Sequence, residues 1–419
     1  MNTENSKNTP RLRFPGFTGE WVHEKLGEVF DFRNGYTPSK NNLEYWVGGT
    51  IPWFRMEDIR ENGNILNDSI QHITPEAIKG TGLFKANSII ISTSATIGEH
   101  ALITVNHLAN QRFTNLYPQR NYADKVNMKY AYFYMFIVDE ICKANTNIGT
   151  FAAVNMTTFS NVKYPIPPTL DEQEKIASFL SEMDNLIAAQ GQKVDALKEK
   201  KKGLMQQLFP QPGETTPRLR FHGFEGEWEE KLLSEVFTRQ TGKNVEDNKN
   251  VLTISAQYGL ISQLDFFKKS VSASDVTGYY LLHKGDFAYN KSSSQGKPVG
   301  AIKPLKLYDK GVVSTLYICF RCKDPNAVGF WEQYFDAGIF DKEIMSIAQE
   351  GARNHGLLNV PTNDFFGLTV KTPKPAEQQK IASCLSAFDN VIAEESAKLE
   401  SLKDHKKGLM QQLFPQPSK

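Results

Sequence analysis

The chain has 419 residues, of which 40% are hydrophobic and 23% are charged. This composition is typical of globular proteins with a sizeable core and excludes wholesale disorder and fibrous repeats. The 48 lysines and arginines are almost balanced by 47 aspartates and glutamates, so the composition lacks the basic excess that is common in nucleic-acid-binding proteins.

Nothing in the sequence indicates a membrane or secreted protein. The most apolar stretch, residues 130–138, is far shorter than the roughly 20 residues that span a bilayer. Residues 1–10 are polar and lack the apolar segment of a secretory signal. Four cysteines in so long a chain fit a reducing compartment rather than a disulfide scaffold. We therefore expect a cytoplasmic protein without membrane association.

An internal duplication with a period of about 205 residues organises the chain. Three segments occur twice: residues 9–21 and 216–228 (11 of 13 identical), 172–193 and 377–398 (13 of 22 identical), and 201–212 and 406–417 (no change). A period this long indicates duplicated domains rather than a solenoid of short repeats.

The segments between these repeats have diverged. Residues 31–165 and 238–370, which we call the first and second insert, are similar in length but share few identities. Each is predicted to be a mixed α/β domain, because β-branched runs separated by turn residues precede a helical segment. The strand-like runs and helices are expected at residues 87–104, 113–118 and about 127–144 in the first insert, and at 285–302, 312–320 and about 326–349 in the second. The repeated segments form two similar frames that carry different inserts. This pattern favours a protein whose two inserts do the same kind of job on two different targets.

Each insert is followed by a segment with the pattern of a long helix. Residues 172–208 contain no proline, and their apolar residues recur at alternating steps of four and three over more than four heptads. The second copy, from residue 377 to residue 413, repeats this heptad seam, and both copies end at Phe-Pro-Gln-Pro.

The polar interruptions of the seam favour an antiparallel pair. A parallel pair in register would bury Lys201 against Lys406. An antiparallel pair instead brings Gln190 near Leu399, and Lys201 near Phe388, where its stem can pack while its ammonium reaches water. The predicted fold class is α+β: two mixed α/β domains separated by two long α-helices that pair as an antiparallel coiled coil, with an internal pseudo-two-fold duplication. The alternative is that each helix packs on its own domain or on a partner protein.

Catalytic and metal-binding motifs are not found. Gly296-Lys297 is followed by Pro298 and lacks the spacing of a phosphate-binding loop. No Asn/Asp-Pro-Pro-aromatic tetrapeptide of a DNA amino-methyltransferase occurs. Cys319 and Cys322 form a Cys-x-x-Cys pair without a second pair nearby, and on a strand they would point to opposite faces, so no zinc site is expected.

The duplicated motifs carry a family resemblance. PRLRFPGFTGEW and PRLRFHGFEGEW, the EQEKIASFL and EQQKIASCL helices and the two KKGLMQQLFP tails resemble the specificity subunit of Type I restriction–modification enzymes, over essentially the whole chain. The resemblance implies a first target-recognition domain at 1–165, a first conserved spacer helix at 166–212, a second target-recognition domain at 213–370 and a second spacer helix at 371–419. Each recognition domain would read one half of a bipartite, asymmetric double-stranded DNA site.

The resemblance also implies partners and a division of labour. The chain itself would be non-catalytic and hold no cofactor or metal. Its helices would set the gap between the half-sites and dock two methylation subunits, and motor-nuclease subunits would join the full complex. The assembled complex would be an adenine-specific DNA methyltransferase and ATP-dependent endonuclease, with S-adenosylmethionine, ATP and Mg on the partner subunits.

Candidate DNA-contacting residues are polar side chains in loops. Asn and Gln can bind adenine bidentately, Arg binds guanine, and Lys mostly contacts phosphate. The first insert offers Ser92, Thr93, Ser94, Thr96, Asn110, Gln111, Arg112, Asn145 and Asn147. The second offers Asn290, Lys291, Ser292, Ser293, Ser294, Gln295, Lys297, Arg353, Asn354 and His355. For any single Ser or Thr, a turn or helix-capping role is the alternative.

Two other classes of function stay open at this point. The chain could be a scaffold whose two domains organise proteins without touching DNA, which the nearly neutral charge would suit. A stand-alone enzyme would require catalytic residues that the sequence does not display.

Overall fold

The structure is a computed structural model that describes residues 9–80, 82–93, 98–144, 156–255, 259–267, 275–293, 297–350 and 358–415. The chain divides into two compact units: Met1–Gln190 with Lys398–Lys419, and Gly191–Ala397. Each unit therefore contains one insert, the first half of the long helix that follows it, and the second half of the other long helix.

The described strands of the first unit are β1 (Val22–Lys25), β2 (Phe30–Asn34), β3 (Ile51–Phe54), β4 (Ile65–Leu66), β5 (His72–Ile73), β6 (Ser88–Ser92), β7 (His100–Ile103), β8 (Leu108–Ala109), β9 (Phe113–Pro118) and β10 (Lys163–Ile166). The described helices are α1 (Leu26–Val29), α2 (Met56–Asn62), α3 (Met128–Ala144), α4 (Met156–Asn161) and α5 (Leu170–Leu208), the last of which continues into the second unit.

A five-stranded sheet in the order β2-β9-β6-β7-β4 forms the centre of the first insert. β6 carries the uninterrupted apolar run Ile89 to Ile91, which is buried on both faces of the sheet. One face packs on α3, a helix rich in tyrosine and phenylalanine. Strand β1 pairs with β10, so the start of the insert lies beside its end and the chain leaves directly into α5.

The described strands of the second unit are β11 (Glu229–Leu232), β12 (Phe237–Arg239), β13 (Leu252–Ser255), β14 (Gly259–Ser262), β15 (Tyr280–His283), β16 (Phe287–Asn290), β17 (Ala301–Pro304), β18 (Lys310–Val313), β19 (Ile318–Cys322), β20 (Gln349–Glu350), β21 (Leu358–Asn359) and β22 (Thr369–Thr372). The described helices are α6 (Leu233–Val236), α7 (Gln263–Phe267), α8 (Val328–Asp336), α9 (Asp341–Ile347), α10 (Thr362–Phe366) and α11 (Pro375–Leu413), which continues into the first unit.

The second insert is built on the same plan with a smaller central sheet, β12-β19-β16-β17. Strand β11 pairs with β22, as β1 pairs with β10. The helical segment predicted at about 326–349 is confirmed, but it is not one continuous helix. The segment forms two helices, because Gly338 adopts a φ of +73° after α8 and the chain turns before α9 begins.

Both long helices are confirmed, and within the second unit their halves run antiparallel. Lys193 Nζ lies 2.5 Å from Glu395 Oε1, and Lys201 Nζ lies 2.6 Å from Asp389 Oδ1. From the first pair to the second, the contact position advances towards the C-terminus of α5 and towards the N-terminus of α11. The two helices therefore run antiparallel here. Beyond them, the end of α5 enters the core of the insert with Phe209, which is fully buried.

The first unit repeats this arrangement with the helices exchanged. Lys406 of α11 pairs with Asp184 of α5 at 2.5 Å. The end of α11 places Leu413 and Phe414 in the same core as Leu180. The predicted antiparallel coiled coil is therefore confirmed by contacts within each unit.

Lys201 departs from the sequence-based expectation in one respect. Its side chain is only 12% exposed, and its ammonium forms an ion pair with Asp389. Asp389 also accepts a 2.8 Å hydrogen bond from Gln333 of α8, which ties this pair to the insert. Lys200, rather than Lys201, lies over the ring of Phe388.

In each unit, an ion pair also joins the repeated motif that precedes the insert to the start of the long helix that follows it. Arg13 donates two hydrogen bonds to Glu172, at 2.7 and 2.9 Å. Arg220 does the same with Glu377, at 2.8 Å each. Both glutamates are buried, and a bidentate guanidinium satisfies a carboxylate that is removed from water. This explains why the arginine and the glutamate recur in both copies.

The buried lysines of the coiled coil give a stability prediction. Replacing Asp389→Asn or Asp184→Asn keeps the side-chain shape but leaves Lys201 or Lys406 without its counter-charge. Because these lysines are 12% and 13% exposed, we expect each variant to lose about 1–2 kcal/mol of unfolding free energy in urea denaturation of the full chain.

The matched control is Glu400→Gln on α11, because Glu400 and its partner Lys403 are 68% and 50% exposed. Exposed ion pairs contribute little, so this change should cost less than about 0.5 kcal/mol. Equal losses for all three variants would contradict the distinction between the buried and the exposed pairs.

Candidate nucleic-acid interface

The predicted loop Asn110-Gln111-Arg112 connects β8 to β9 in the first insert. The Asn110 carboxamide oxygen accepts a 3.0 Å bond from the Arg112 backbone N–H, so this side chain shapes the turn. Gln111 and Arg112 are exposed, and the Gln111 carboxamide oxygen accepts a hydrogen bond from the Thr37 hydroxyl. The loop therefore presents an amide and a guanidinium at the surface, with Thr37 holding the amide.

Ser92 and Thr93 lie at the end of β6, beside that loop. Ser92 is fully buried and pairs with Phe113 of β9, which is the position of a core residue rather than of a surface donor. Thr93 is half-buried, and its backbone N–H donates to the carbonyl of Arg112. Ser94, Thr96, Asn145 and Asn147 lie outside the described residues, and their DNA contacts stay predictions.

The turn that leads into β7 is packed closely on α3. Gly98 has a φ of +87°, and a Cβ at this position would lie 1.4 Å from the Asp139 carboxylate. Burial raises the pKa of the Asp139 carboxyl, although its ion pair with Lys143 opposes that effect. The turn next to the predicted loop thus rests against a helix of the core.

His100 fixes this turn from the core side. Its Nδ1–H donates to the carbonyl of Gly98 at 2.9 Å, and its ring packs on Tyr132 and Phe136. Burial lowers the pKa of His100 to about 4. The imidazole is therefore neutral at physiological pH.

In the second insert the predicted residues begin at the end of β16. The Asn290 carboxamide oxygen accepts from the Ser292 backbone N–H at 3.1 Å, another turn-shaping contact. Ser292 and Ser293 are exposed, whereas Lys291 and Lys297 are half-buried. The Lys297 ammonium lies 3.4 Å from the carbonyl of Asp336, at the end of α8.

The Lys291 backbone also connects to a second predicted loop. Its carbonyl accepts a hydrogen bond from the Leu358 N–H at 3.1 Å. Leu358 belongs to β21, which pairs with β20, and Arg353, Asn354 and His355 fall between these two strands in the sequence. Those three residues, with Ser294 and Gln295, lie outside the described residues, so their contacts also stay predictions.

The Cys-x-x-Cys pair behaves as the strand geometry predicts. Cys319 and Cys322 are both buried free thiols on β19, and they belong to different hydrophobic clusters. Burial raises the pKa of Cys319 to about 12 and that of Cys322 to about 11, so neither is an activated thiolate. Within the described ranges, no group of three or more His, Cys, Asp or Glu side chains could hold a metal ion. None of the helices that the structure describes is long and apolar enough to cross a membrane.

A family model described as the Type I restriction modification DNA specificity domain matches the chain twice, over residues 18–199 and 225–404. These matches cover both inserts and all but the last nine residues of each long helix. The chain belongs to this family. The resemblance carried by the duplicated motifs is thereby confirmed, and so is the presence of two DNA specificity domains.

Individual relatives agree with this assignment. The Type I restriction enzyme EcoprrI specificity subunit of Escherichia coli is 52% identical over 173 residues, which cover 41% of this chain and 42% of the relative. This match therefore spans less than half the length of the relative. The MjaVIII specificity subunit of Methanocaldococcus jannaschii is 24% identical over 435 residues, covering 98% of this chain and 95% of that protein.

Solved structures show the same fold. A Type I restriction–modification S subunit from M. genitalium superimposes with a TM-score of 0.52 at 15% identity, covering 98% of this chain and all of that chain. A chain from work on complex assembly and conformational transition of the Type I R-M system gives a TM-score of 0.59 at 14% identity, covering 96% and 99%.

Thr37 contacts the predicted loop and was not among the residues predicted from the sequence. Its neighbour Gly35 has an equivalent in Gly242, because each glycine stands five residues after the repeated Phe30 or Phe237. A Cβ on Gly35 would lie 2.2 Å from the Ala109 carbonyl oxygen, so the chain needs glycine to pass the loop. A Cβ on Gly242 would meet open space, so the recurrence of the glycine does not mark this contact and the sequence carried no signal for Thr37.

The buried His100 predicts a pH dependence of stability. Its pKa is about 4 in the folded state and 6.5 when exposed, so the unfolded chain binds the proton first as the pH falls. Its stabilising contribution is complete above pH 6.5 and is lost as the pH falls towards 4. We expect His100 alone to account for about 2 kcal/mol of the stability lost between pH 7.5 and pH 5.

Urea denaturation of the full chain and of His100→Gln at these two pH values measures this contribution. The variant cannot titrate, so the part of the pH effect due to His100 should disappear. His72→Gln is the control, because this ring is half-exposed. The same pH dependence in His100→Gln and in the parent would contradict the assignment.

Proposed function

We propose that this chain is the non-catalytic DNA-recognition subunit of a Type I restriction–modification complex, in which each insert reads one half of a bipartite, asymmetric site. One observation carries the proposal: two specificity domains with divergent inserts are mounted on the same duplicated frame. Identical frames favour a shared mode of docking on DNA. Divergent inserts favour different half-sites and a target that is not a palindrome.

The base-reading residues are proposed to lie in the loops described above. In the first insert, the exposed Gln111 and Arg112 are the leading candidates, since Gln can bind adenine and Arg guanine in the major groove. In the second, Ser292, Ser293 and Lys291 lead out of the central sheet. The remaining predicted residues, among them Arg353, extend the same two loop regions.

The two long helices are proposed to set the gap between the half-sites. Each has 39 residues, which corresponds to a length of roughly 58 Å at 1.5 Å per residue. We retain 1–165, 166–212, 213–370 and 371–419 as the proposed domains and spacers. The antiparallel ion pairs fix the register of the helices within each unit, which a spacer of defined length requires.

The proposed partners are two methylation subunits, with motor-nuclease subunits in the full complex. S-adenosylmethionine, ATP and Mg would bind on those partners, and the assembly would work in the cytoplasm. The family assignment supports these partners, as does the relation to a chain studied for complex assembly in such a system.

A duplicated surface supports two copies of one partner. In the first unit, the exposed Leu12 donates its backbone N–H to the Gln412 carbonyl at the end of α11. In the second, the exposed Leu219 donates to Gln207 at the end of α5. Packing of the core does not require exposed side chains to be kept. Both copies nevertheless retain the exposed arginine and leucine of the motif, and the exposed second lysine and two glutamines of the tail: Arg11, Lys202, Gln206, Gln207, Arg218, Lys407, Gln411 and Gln412.

The first test exchanges residues 238–370 for the corresponding segment of another member of the family. Selection of bound duplexes from a random library by the methylation complex should give a bipartite site for the parent. In the chimera only one half-site should change, and the gap should keep its length because neither helix is altered. A change in both half-sites, or no bipartite preference in the parent, would contradict the proposal.

The second test concerns partner stoichiometry. Leu12→Glu or Leu219→Glu places a charge in one of the two duplicated surfaces. We expect each single variant to bind one methylation subunit and the double variant to bind none, as measured by native mass spectrometry. Leu307→Glu, at an exposed leucine outside these surfaces, should still bind two. Two bound partners in both single variants would exclude this surface.

A further inference from the structure

In each of the two divergent inserts, a cation donates a hydrogen bond to a glycine carbonyl and lies over the aromatic ring two residues further on. In the first insert, Arg33 at the end of β2 donates to the carbonyl oxygen of Gly82 at 2.8 Å. The guanidinium carbon also lies 4.2 Å from the ring centroid of Phe84. The side chain is thus held at a fixed place by a hydrogen bond and a cation–π contact.

The second insert repeats these contacts with other residues. Lys243 donates to the carbonyl oxygen of Gly278 at 2.7 Å, and its ammonium lies 4.6 Å from the ring centroid of Tyr280. Gly278 and Tyr280 belong to a Thr-Gly-x-aromatic sequence at 277–280, and the same sequence pattern occurs at 81–84.

The two cations do not come from equivalent positions. Alignment of the repeats on Gly35 and Gly242 places Arg33 opposite Gln240, and Lys243 opposite Tyr36. Inheritance of one residue from the duplicated ancestor therefore does not explain the match. A neutral amide could make the same hydrogen bond to a glycine carbonyl but not the cation–π contact, so each insert retains a positive charge over an aromatic ring.

A recess beside Arg33 supplies more of the site. This cavity of about 290 Å³ has Phe84 and Leu108 among its lining residues, and it is also lined by Lys79. The Tyr36 hydroxyl accepts a 2.7 Å bond from the Lys79 backbone N–H and thereby fixes that lysine at the recess. No salt bridge joins the side chain of Lys79 or Lys243 to a carboxylate in the parts of the chain that the structure describes.

The recess adjoins the predicted reading loop. Tyr36 donates its backbone N–H to the carbonyl of Ala109, the residue before the loop, and the next residue, Thr37, bonds Gln111. A DNA strand read by Gln111 and Arg112 would therefore have its backbone within reach of this cationic recess.

We propose that Arg33 with Lys79 in the first insert, beside its predicted reading loop, and Lys243 in the second insert are phosphate-contact sites that hold the DNA backbone. The inference rests on the proposed function and adds the residues that provide affinity without sequence information. Chemistry supports a phosphodiester as the ligand, because ammonium and guanidinium groups neutralise phosphate, and such contacts position a protein on the duplex. With a net charge of +1, the chain needs local cations of this kind.

The test measures the salt dependence of duplex binding by the methylation complex containing the full chain. Each neutralised phosphate contributes about 0.9 to the slope of log affinity against log salt concentration. Lys79→Gln and Lys243→Gln should each lower the magnitude of this slope by about 0.9, and the double variant by about 1.8. The ratio of affinities for the target and a scrambled duplex should not change.

Two further variants make the outcome specific. Lys243→Arg keeps the charge and should therefore retain the parental slope. If the slope change in Lys243→Gln came from misfolding rather than from the lost charge, Lys243→Arg would not be expected to restore the parental value. Lys306→Gln is the matched control, because this exposed lysine is already neutralised by Glu332 at 3.0 Å. Its slope should equal that of the parent.

Several results would overturn the inference. One is an unchanged slope in both Lys79→Gln and Lys243→Gln. Another is a smaller ratio of affinities for the target and the scrambled duplex at an unchanged slope, because that result would indicate that these lysines read bases. Displacement of DNA from the parent, but not from the variants, by inorganic phosphate at constant ionic strength would indicate a site for a free anion. If the parent shows no preferred duplex, the proposed function fails, while slope changes on mixed-sequence DNA would still support phosphate contacts.

Discussion

The antiparallel pairing of the two long helices is the interaction on which each unit depends. Neither insert completes its core with its own residues alone, because the first unit takes Phe414 from the end of α11 and the second takes Phe209 from the end of α5. The apolar seam supplies the attraction, and the Lys–Asp pairs supply the register. A slip of one heptad would separate Lys201 from Asp389 and leave a buried ammonium without its counter-charge. The contacts that stabilise the helix pair thus also fix the position along the helices at which each insert is attached.

Much of this architecture could be predicted because the duplication allows the sequence to be compared with itself. The unchanged tails and the heptad steps give the helices, and the polar interruptions give their antiparallel orientation. The prediction was incomplete where a backbone detail decided the outcome. Gly338 turns the chain between α8 and α9, although the apolar pattern from about 326 to 349 favours one helix. The ion pair of Lys201 was also missed, since Asp389 is not a seam position and the distance between the two side chains emerges only when the helices are paired.

The interface was harder to predict than the fold, for a physical reason. Polar loop residues look alike in a sequence whether they cap a turn, fill a core or face solvent. Asn110 and Asn290 use their side chains to shape turns, Ser92 is buried, and Gln111 is exposed but held by Thr37. What separates these cases is the partner of each side chain, and those partners lie up to 74 residues away in the sequence. The DNA contacts of these residues accordingly stay proposals.

The near balance of charges, which speaks against a nucleic-acid binder at the level of composition, has a local explanation. Many of the carboxylates are paired within the fold: Glu172, Glu377, Asp184 and Asp389 all neutralise arginine or lysine inside the frame. These pairs contribute nothing to the net charge, and they lie in the duplicated frame rather than in the predicted reading loops. The field that a DNA strand would meet depends instead on cations such as Lys79 and Lys243, which the described structure does not pair with carboxylates. A neutral chain can therefore present a cationic surface, because folding sorts its charges into internal pairs and surface contacts.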